Sequence, residues 1–171
     1  MVAAGCCLAR LVAGGLLTLA SATAVAAGVE CGPAERTAFA CSTGAKSVSV
    51  CSSETATPGG PGFLQYRFGG PAGTELAYPL AGSDWRQVVT GGSLTFSGGG
   101  GAFLAFAHPP YRYVVYTAIG RGWGARAGVV VEKEGRRITH LPCVGPATSE
   151  LGPDLFSAAG ITVADDGFVL P

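Results

Sequence analysis

Along most of the chain, apolar and polar residues alternate in short runs that glycine, proline and small polar clusters interrupt. Thr37–Cys41 and Lys46–Cys51 alternate well, with Ser42–Ala45 between them as a hairpin turn. Phe63–Phe68 and Thr74–Tyr78 are joined by Gly69–Gly73, and Ser93–Phe96 and Ala102–Phe106 by the glycine run of 97–101. Tyr111–Ile119 is dense in aromatic and β-branched residues, which suit a pleated, half-buried surface. Ala127–Glu132 and Arg136–Leu141 follow, turned by Gly120–Gly124 and by Glu134-Gly135. These runs predict about nine strands bounded by turn residues. No 10–15-residue helical pattern separates them, which excludes a parallel α/β sheet. The expected fold is all-β, a small antiparallel barrel or a two-sheet sandwich of 8–9 strands spanning about 37–141. The extension 144–171 breaks the pattern: Gly152–Gly160 reads as a short helical turn, with proline near its start and glycine at its stop.

The first residues have a different pattern. Arg10 precedes the apolar run Leu11–Ala20, and Ala22–Ala27 then offers small side chains at alternating positions. Those are the parts of a secretory signal peptide, residues 1–26 with cleavage after Ala26. Interrupted by Gly14-Gly15, the run is too short for the roughly 20 apolar residues of a membrane span. The expectation is one mature domain, residues 27–171, with no stable membrane span, in the periplasm or secreted. Cys6 and Cys7 leave with the leader.

Export changes how the remaining cysteines read. Cys31, Cys41, Cys51 and Cys143 form an even set in an oxidising space, which implies two disulfides. Three pairings are open: Cys41–Cys51 across the first hairpin with Cys31–Cys143, Cys41–Cys143 joining the first strand to the last, and the remaining combination. Without a CxxC knuckle, zinc is not the expected reading, and no cofactor or metal is implied.

Composition narrows the function classes. The 11 basic and 11 acidic residues become 10 and 11 once Arg10 is removed, so the overall charge offers no field for nucleic acid. The 28 glycines fit tight turns between apolar strands. Catalytic candidates are few. Ser97–Gly101 lacks the Lys-Ser/Thr pair and following helix of a phosphate loop and reads as a flexible hairpin loop. His108 and His140 sit at strand ends, Ser93 follows Gly91-Gly92, and no G-x-S-x-G occurs. Glu132 and Glu134 alternate with Lys133, Arg136 and Arg137 as a solvated hairpin face; Asp165-Asp166 reads as a turn, and Asp154 completes the carboxylate candidates. No catalytic residue is assigned. The most distinctive surface feature is Gly120–Gly124, which sets Arg121 and Trp123, two favoured interface residues, on a glycine-rich connection. Tyr111 and Tyr113 share one strand face and Tyr116 takes the other, so one of these faces belongs to the core.

Several segments, Glu35–Gly44, Val48–Cys51, Leu64–Phe68, Phe96–Ala102, Tyr113–Tyr116, Ile119–Gly124 and Ser149–Asp154, resemble a family of exported bacterial proteins of unknown function. That resemblance implies export but no activity. A second, more limited resemblance is to the periplasmic lysozyme inhibitors, which are small antiparallel barrels. It is carried by Phe39-Ala-Cys41 in the first strand, by Cys143 after the last, and by Ser97-Gly98 in a late loop. In those inhibitors a Ser-Gly loop enters the lysozyme cleft, so the resemblance implies binding roles for Ser97 and Gly98 and a cell-wall hydrolase as partner. The chain departs from it in the glycines after Ser97, in Cys31 and Cys51, and in its C-terminal segment. Three functions are carried forward: a non-catalytic envelope binding protein, an envelope-maintenance protein with no dedicated site, and a hydrolase.

Overall fold

The computed structural model describes Met1, residues 29–164 and residues 168–171. The leader 1–26 lies outside the described residues, Met1 apart. Among the described residues no helix is long and apolar enough to cross a membrane.

Two sheets carry the fold. The first is built from β1 (Glu35–Ser42), β2 (Ser47–Ser53), β3 (Leu64–Gly70) and β4 (Gly73–Tyr78). A 3₁₀ turn, Trp85–Gln87, leads into the second: β5 (Val89–Phe96), β6 (Gly99–His108), β7 (Tyr111–Gly120), β8 (Gly124–Lys133) and β9 (Arg136–Pro142). Two short strands, β10 (Thr148–Ser149) and β11 (Thr162–Val163), flank α1 (Pro153–Ala159). The orders are β10-β1-β2-β3-β4 and β11-β5-β6-β7-β8-β9; only β11 runs parallel to its neighbour. The molecule is therefore a sandwich of five and six strands, not the closed barrel that the lysozyme-inhibitor likeness implied. Each of the nine long strands overlaps a predicted run, but β5 begins at Val89 rather than Ser93 and β6 at Gly99 rather than Ala102.

The core lies between the sheets. Phe39, Val48, Val50, Leu64 and Tyr66 from the first meet Leu104, Phe106, Val115 and Val129 from the second, and Trp85 and Phe156 complete the layer. Each such side chain contributes about 1.5–3 kcal/mol of burial. The second sheet is covered on its other face too, by Phe168 and Leu170 over Phe103, Val114, Tyr116 and Val130. Burial on both faces explains the unbroken Val114-Val115 and Val129-Val130 pairs. Both tyrosine faces of β7 are thus occupied: Tyr113 stacks on Tyr66, and Tyr116 packs under Phe168.

The disulfides are Cys31–Cys51 and Cys41–Cys143. Hairpin register rules out Cys41–Cys51, because Cys41 lies opposite Val48 while Cys51 lies opposite Thr37. Segment 29–32 crosses the outer face of the first sheet. There Ser49 Oγ donates to the Val29 carbonyl, and Arg67 Nη1 donates to that of Glu30 at 3.3 Å. Arg67, 5% exposed, grips Glu35 through two hydrogen bonds of 2.7 and 2.8 Å. Those bonds outweigh the burial of Glu35 and hold its carboxyl below the usual range.

Candidate functional site

At one end of the six-stranded sheet two turns meet. Ser97-Gly98 joins β5 to β6 and Arg121–Trp123 joins β7 to β8. The ladder of β6 on β7 sets Gly99 opposite Gly120 and Gly101 opposite Ala118, so the turns emerge side by side. The Arg121 amide donates to the Gly98 carbonyl at 2.9 Å. All four residues singled out for binding, Ser97, Gly98, Arg121 and Trp123, are therefore brought together.

The glycines form the floor of this end. Gly99, Gly100 and Gly101 belong to strand β6, so the flexible loop expected at 97–101 shrinks to the turn at Ser97-Gly98. A β-carbon at Gly99 would lie 2.2 Å from the Ile119 carbonyl oxygen and 2.5 Å from the Phe96 ring; one at Gly120 would lie 2.2 Å from the Trp123 indole. Any side chain at either position would have to displace that neighbour. The rings of Phe96 and Trp123 instead lie against bare backbone, 5.8 Å apart and tilted by 33°. Arg126 stacks its guanidinium on the Trp123 ring at 4.8 Å. The result is an aromatic shelf, half-buried at Phe96 and Trp123 and exposed at Ser97, Arg121 and Arg126. Phe96 and Arg126 escaped sequence reasoning, because their roles depend on the glycine floor and on β8 register. Behind the shelf, a cleft of about 350 Å³ opens between the sheets, walled by Gly100, Thr117, Ile119, Ala125, Ala127 and Ala147.

The titratable candidates are dispersed. His108 sits at the opposite end of β6, edge-on to Tyr78 at 4.3 Å. His140 Nε2 lies 2.9 Å from the Tyr116 hydroxyl. Desolvation and the neighbouring Arg137 lower the pKa of His140, while burial raises that of Tyr116. Glu132 is tied to Arg112 at 2.9 Å, Glu134 is exposed at the β8–β9 tip, Asp154 is exposed on α1, and Ser93 is exposed on β5. Asp165 and Asp166 lie outside the described residues. Cys31, Cys51 and Glu35 cluster closely enough to suggest a metal, but the two sulfurs are bonded to each other and supply no thiolate. These placements assemble no nucleophile with a base and no facing carboxylate pair among the described residues.

Comparison with protein-family models, with curated proteins and with solved structures finds no match to the chain.

Proposed function

We propose that the chain is an exported, non-catalytic binding protein of the bacterial envelope, periplasmic or secreted, whose recognition surface is the Phe96–Trp123–Arg126 shelf with the Ser97-Gly98 turn. The observation that carries this reading is the glycine floor. Two strand positions, Gly99 and Gly120, give up side chains, at a loss of strand propensity, and what they accommodate is an aromatic pair flanked by Arg121 and Arg126. Trp and Arg at the centre of a contact dominate protein interfaces. The first candidate partner is a cell-wall hydrolase of lysozyme type. Its cleft holds two carboxylates, which complement Arg121 on the β7–β8 turn and Arg126 on β8. Two disulfides are compatible with such an oxidising location.

The test is affinity capture by the oxidised mature domain, against envelope extract and a panel of lysozymes. Trp123→Ala should weaken capture about thirtyfold, equivalent to about 2 kcal/mol, and Arg121→Ala should weaken it too, with circular dichroism unchanged. Capture indifferent to both substitutions removes the shelf as the binding site.

A further inference from the structure

The near-neutral total charge hides a separation. Strands β7–β9 with their turns carry Arg112, Arg121, Arg126, Lys133, Arg136 and Arg137 against only Glu132 and Glu134. The rest of the 27–171 domain carries four basic residues against nine acidic ones. Pairing sharpens the contrast. Arg36, Lys46, Arg67 and Arg112 each have an acidic partner. Arg121, Arg126, Lys133, Arg136 and Arg137 have no ion pair among the described residues. Among the described residues, unpaired positive charge therefore gathers at both ends of β8, Arg121 and Arg126 at its start and Lys133, Arg136 and Arg137 at its end, about 30 Å apart over ten extended residues.

The second of these groups borders an open edge. β9 ends the six-stranded sheet and its backbone pairs only with β8, and Arg136, Arg137, Ile138, Thr139 and His140 are all exposed. An unpaired edge offers backbone N–H and C=O groups to any extended chain. Basic side chains there repel the same edge of a second copy, since like charges opposite each other are destabilising, and they favour a strand of opposite sign.

We propose that the free edge of β9 binds an extended acidic polypeptide segment by strand addition. The segment's carboxylates meet Arg136 and Arg137, and its backbone completes the ladder. The inference builds on the binding-protein reading and gives that partner an acidic strand. It concerns Arg136, Arg137 and the free edge of β9, at the end of β8 away from Arg121, Trp123 and Arg126.

Poly-L-glutamate is the probe, with dextran sulfate as the polyanion that cannot form a strand. With fluorescently labelled polymer at an ionic strength of about 0.02 M, the mature domain should bind poly-L-glutamate and release it near 0.5 M. Amide exchange on β9 should slow in the complex. The Arg136→Gln/Arg137→Gln variant should bind at least tenfold more weakly, and Trp123→Ala should leave the β9 protection in place. Absence of binding at low salt overturns the proposal, as does binding without slowed exchange on β9, or equal binding by the double variant. Dextran sulfate binding alone would assign these basic residues to an anionic glycan, and sedimentation showing self-association through β9 would assign the edge to a second copy. Trp123-dependent capture of a partner combined with an inert β9 ends this inference and leaves the shelf reading standing.

Discussion

Adding one methyl group at Gly120 and one at Gly101 should produce opposite kinds of damage. A β-carbon at Gly120 falls 2.2 Å from Cε2 and Cζ2 of Trp123; one at Gly101 falls 2.2 Å from the Thr117 carbonyl oxygen. Heavy atoms rest at about 3.5–4.0 Å, so each neighbour must withdraw by roughly 1.5 Å. Neither glycine has a positive φ, so backbone strain does not enter. What differs is the neighbour that moves. At Gly120 it is an indole on a turn, which can swing out. The swing forfeits the Phe96 pair, about 0.5–1.5 kcal/mol, and the Arg126 stack, about 0.5–1 kcal/mol. Replacing glycine with alanine returns about 0.4–1 kcal/mol through the unfolded chain. The net loss for Gly120→Ala is about 1 kcal/mol. At Gly101 the obstruction is the β7 backbone, fixed in ladders with β6 and β8. The strands must part, and Gly101→Ala should lose about 3 kcal/mol, the upper end for overpacking. Urea unfolding gives both numbers, and acrylamide quenching separates the mechanisms. Trp85, 1% exposed, stays shielded as an internal reference. Quenching should rise in Gly120→Ala and stay unchanged in native Gly101→Ala. Equal stability losses with unchanged quenching in both variants would refute the glycine-floor account.

Removing the disulfides should cost unequally: with separations of 102 and 20 residues, loop entropy gives about 4.7 kcal/mol for Cys41–Cys143 and about 3.3 kcal/mol for Cys31–Cys51. Denaturation of the two double-alanine variants should rank them in that order. Because Glu35 is held below its ordinary value of 4.5, its contribution is fully present above the unfolded value and is lost as pH falls through the lowered native one. Glu35→Gln should therefore be less stable at neutral pH and show a flatter acid limb in denaturation midpoint against pH; a parallel limb would contradict this. Phe168, whose ring centroid lies 5.5 Å from those of Phe103 and Tyr116, pins the last residues to the second sheet. Phe168→Ala should lose about 2–3 kcal/mol, below a fully enclosed core position, and should speed carboxypeptidase trimming. Unchanged trimming would show that another contact holds the tail.

The long strands were legible because alternation is a side-chain signal, which β1 and β2 carry strongly, and because β7 is dense in aromatic and β-branched residues. The same signal is blind to glycine, so Gly99–Gly101 read as a loop although they pair with β7 residue by residue. Strands of two residues, β10 and β11, are too short to alternate. Trp85 stood alone in a polar loop, with no periodicity to mark it as core. Cysteine spacing was silent on pairing; the register of β1 on β2 excludes one of the three combinations, and the path of segment 29–32 over the first sheet brings Cys31 to Cys51. At the shelf, Ser97, Gly98, Arg121 and Trp123 could each be picked out by residue type. Their adjacency comes from the meander register, and the parts of Phe96 and Arg126 come from atoms the glycines lack. The charge separation was countable in the chain but gained meaning only when β9 proved to be an edge.

The pairing of Cys31 with Cys51 encloses Cys41, whose own partner lies near the end of the chain. In the exported 27–171 chain proposed above, threaded N-terminus first, three thiols emerge before Cys143 arrives, and the earliest neighbours to meet are the wrong ones. Correct maturation then requires Cys41 to stay reduced until the second sheet has emerged, or else an exchange catalyst to undo a premature link. Yield of native material should accordingly depend on disulfide isomerisation rather than on oxidising power alone.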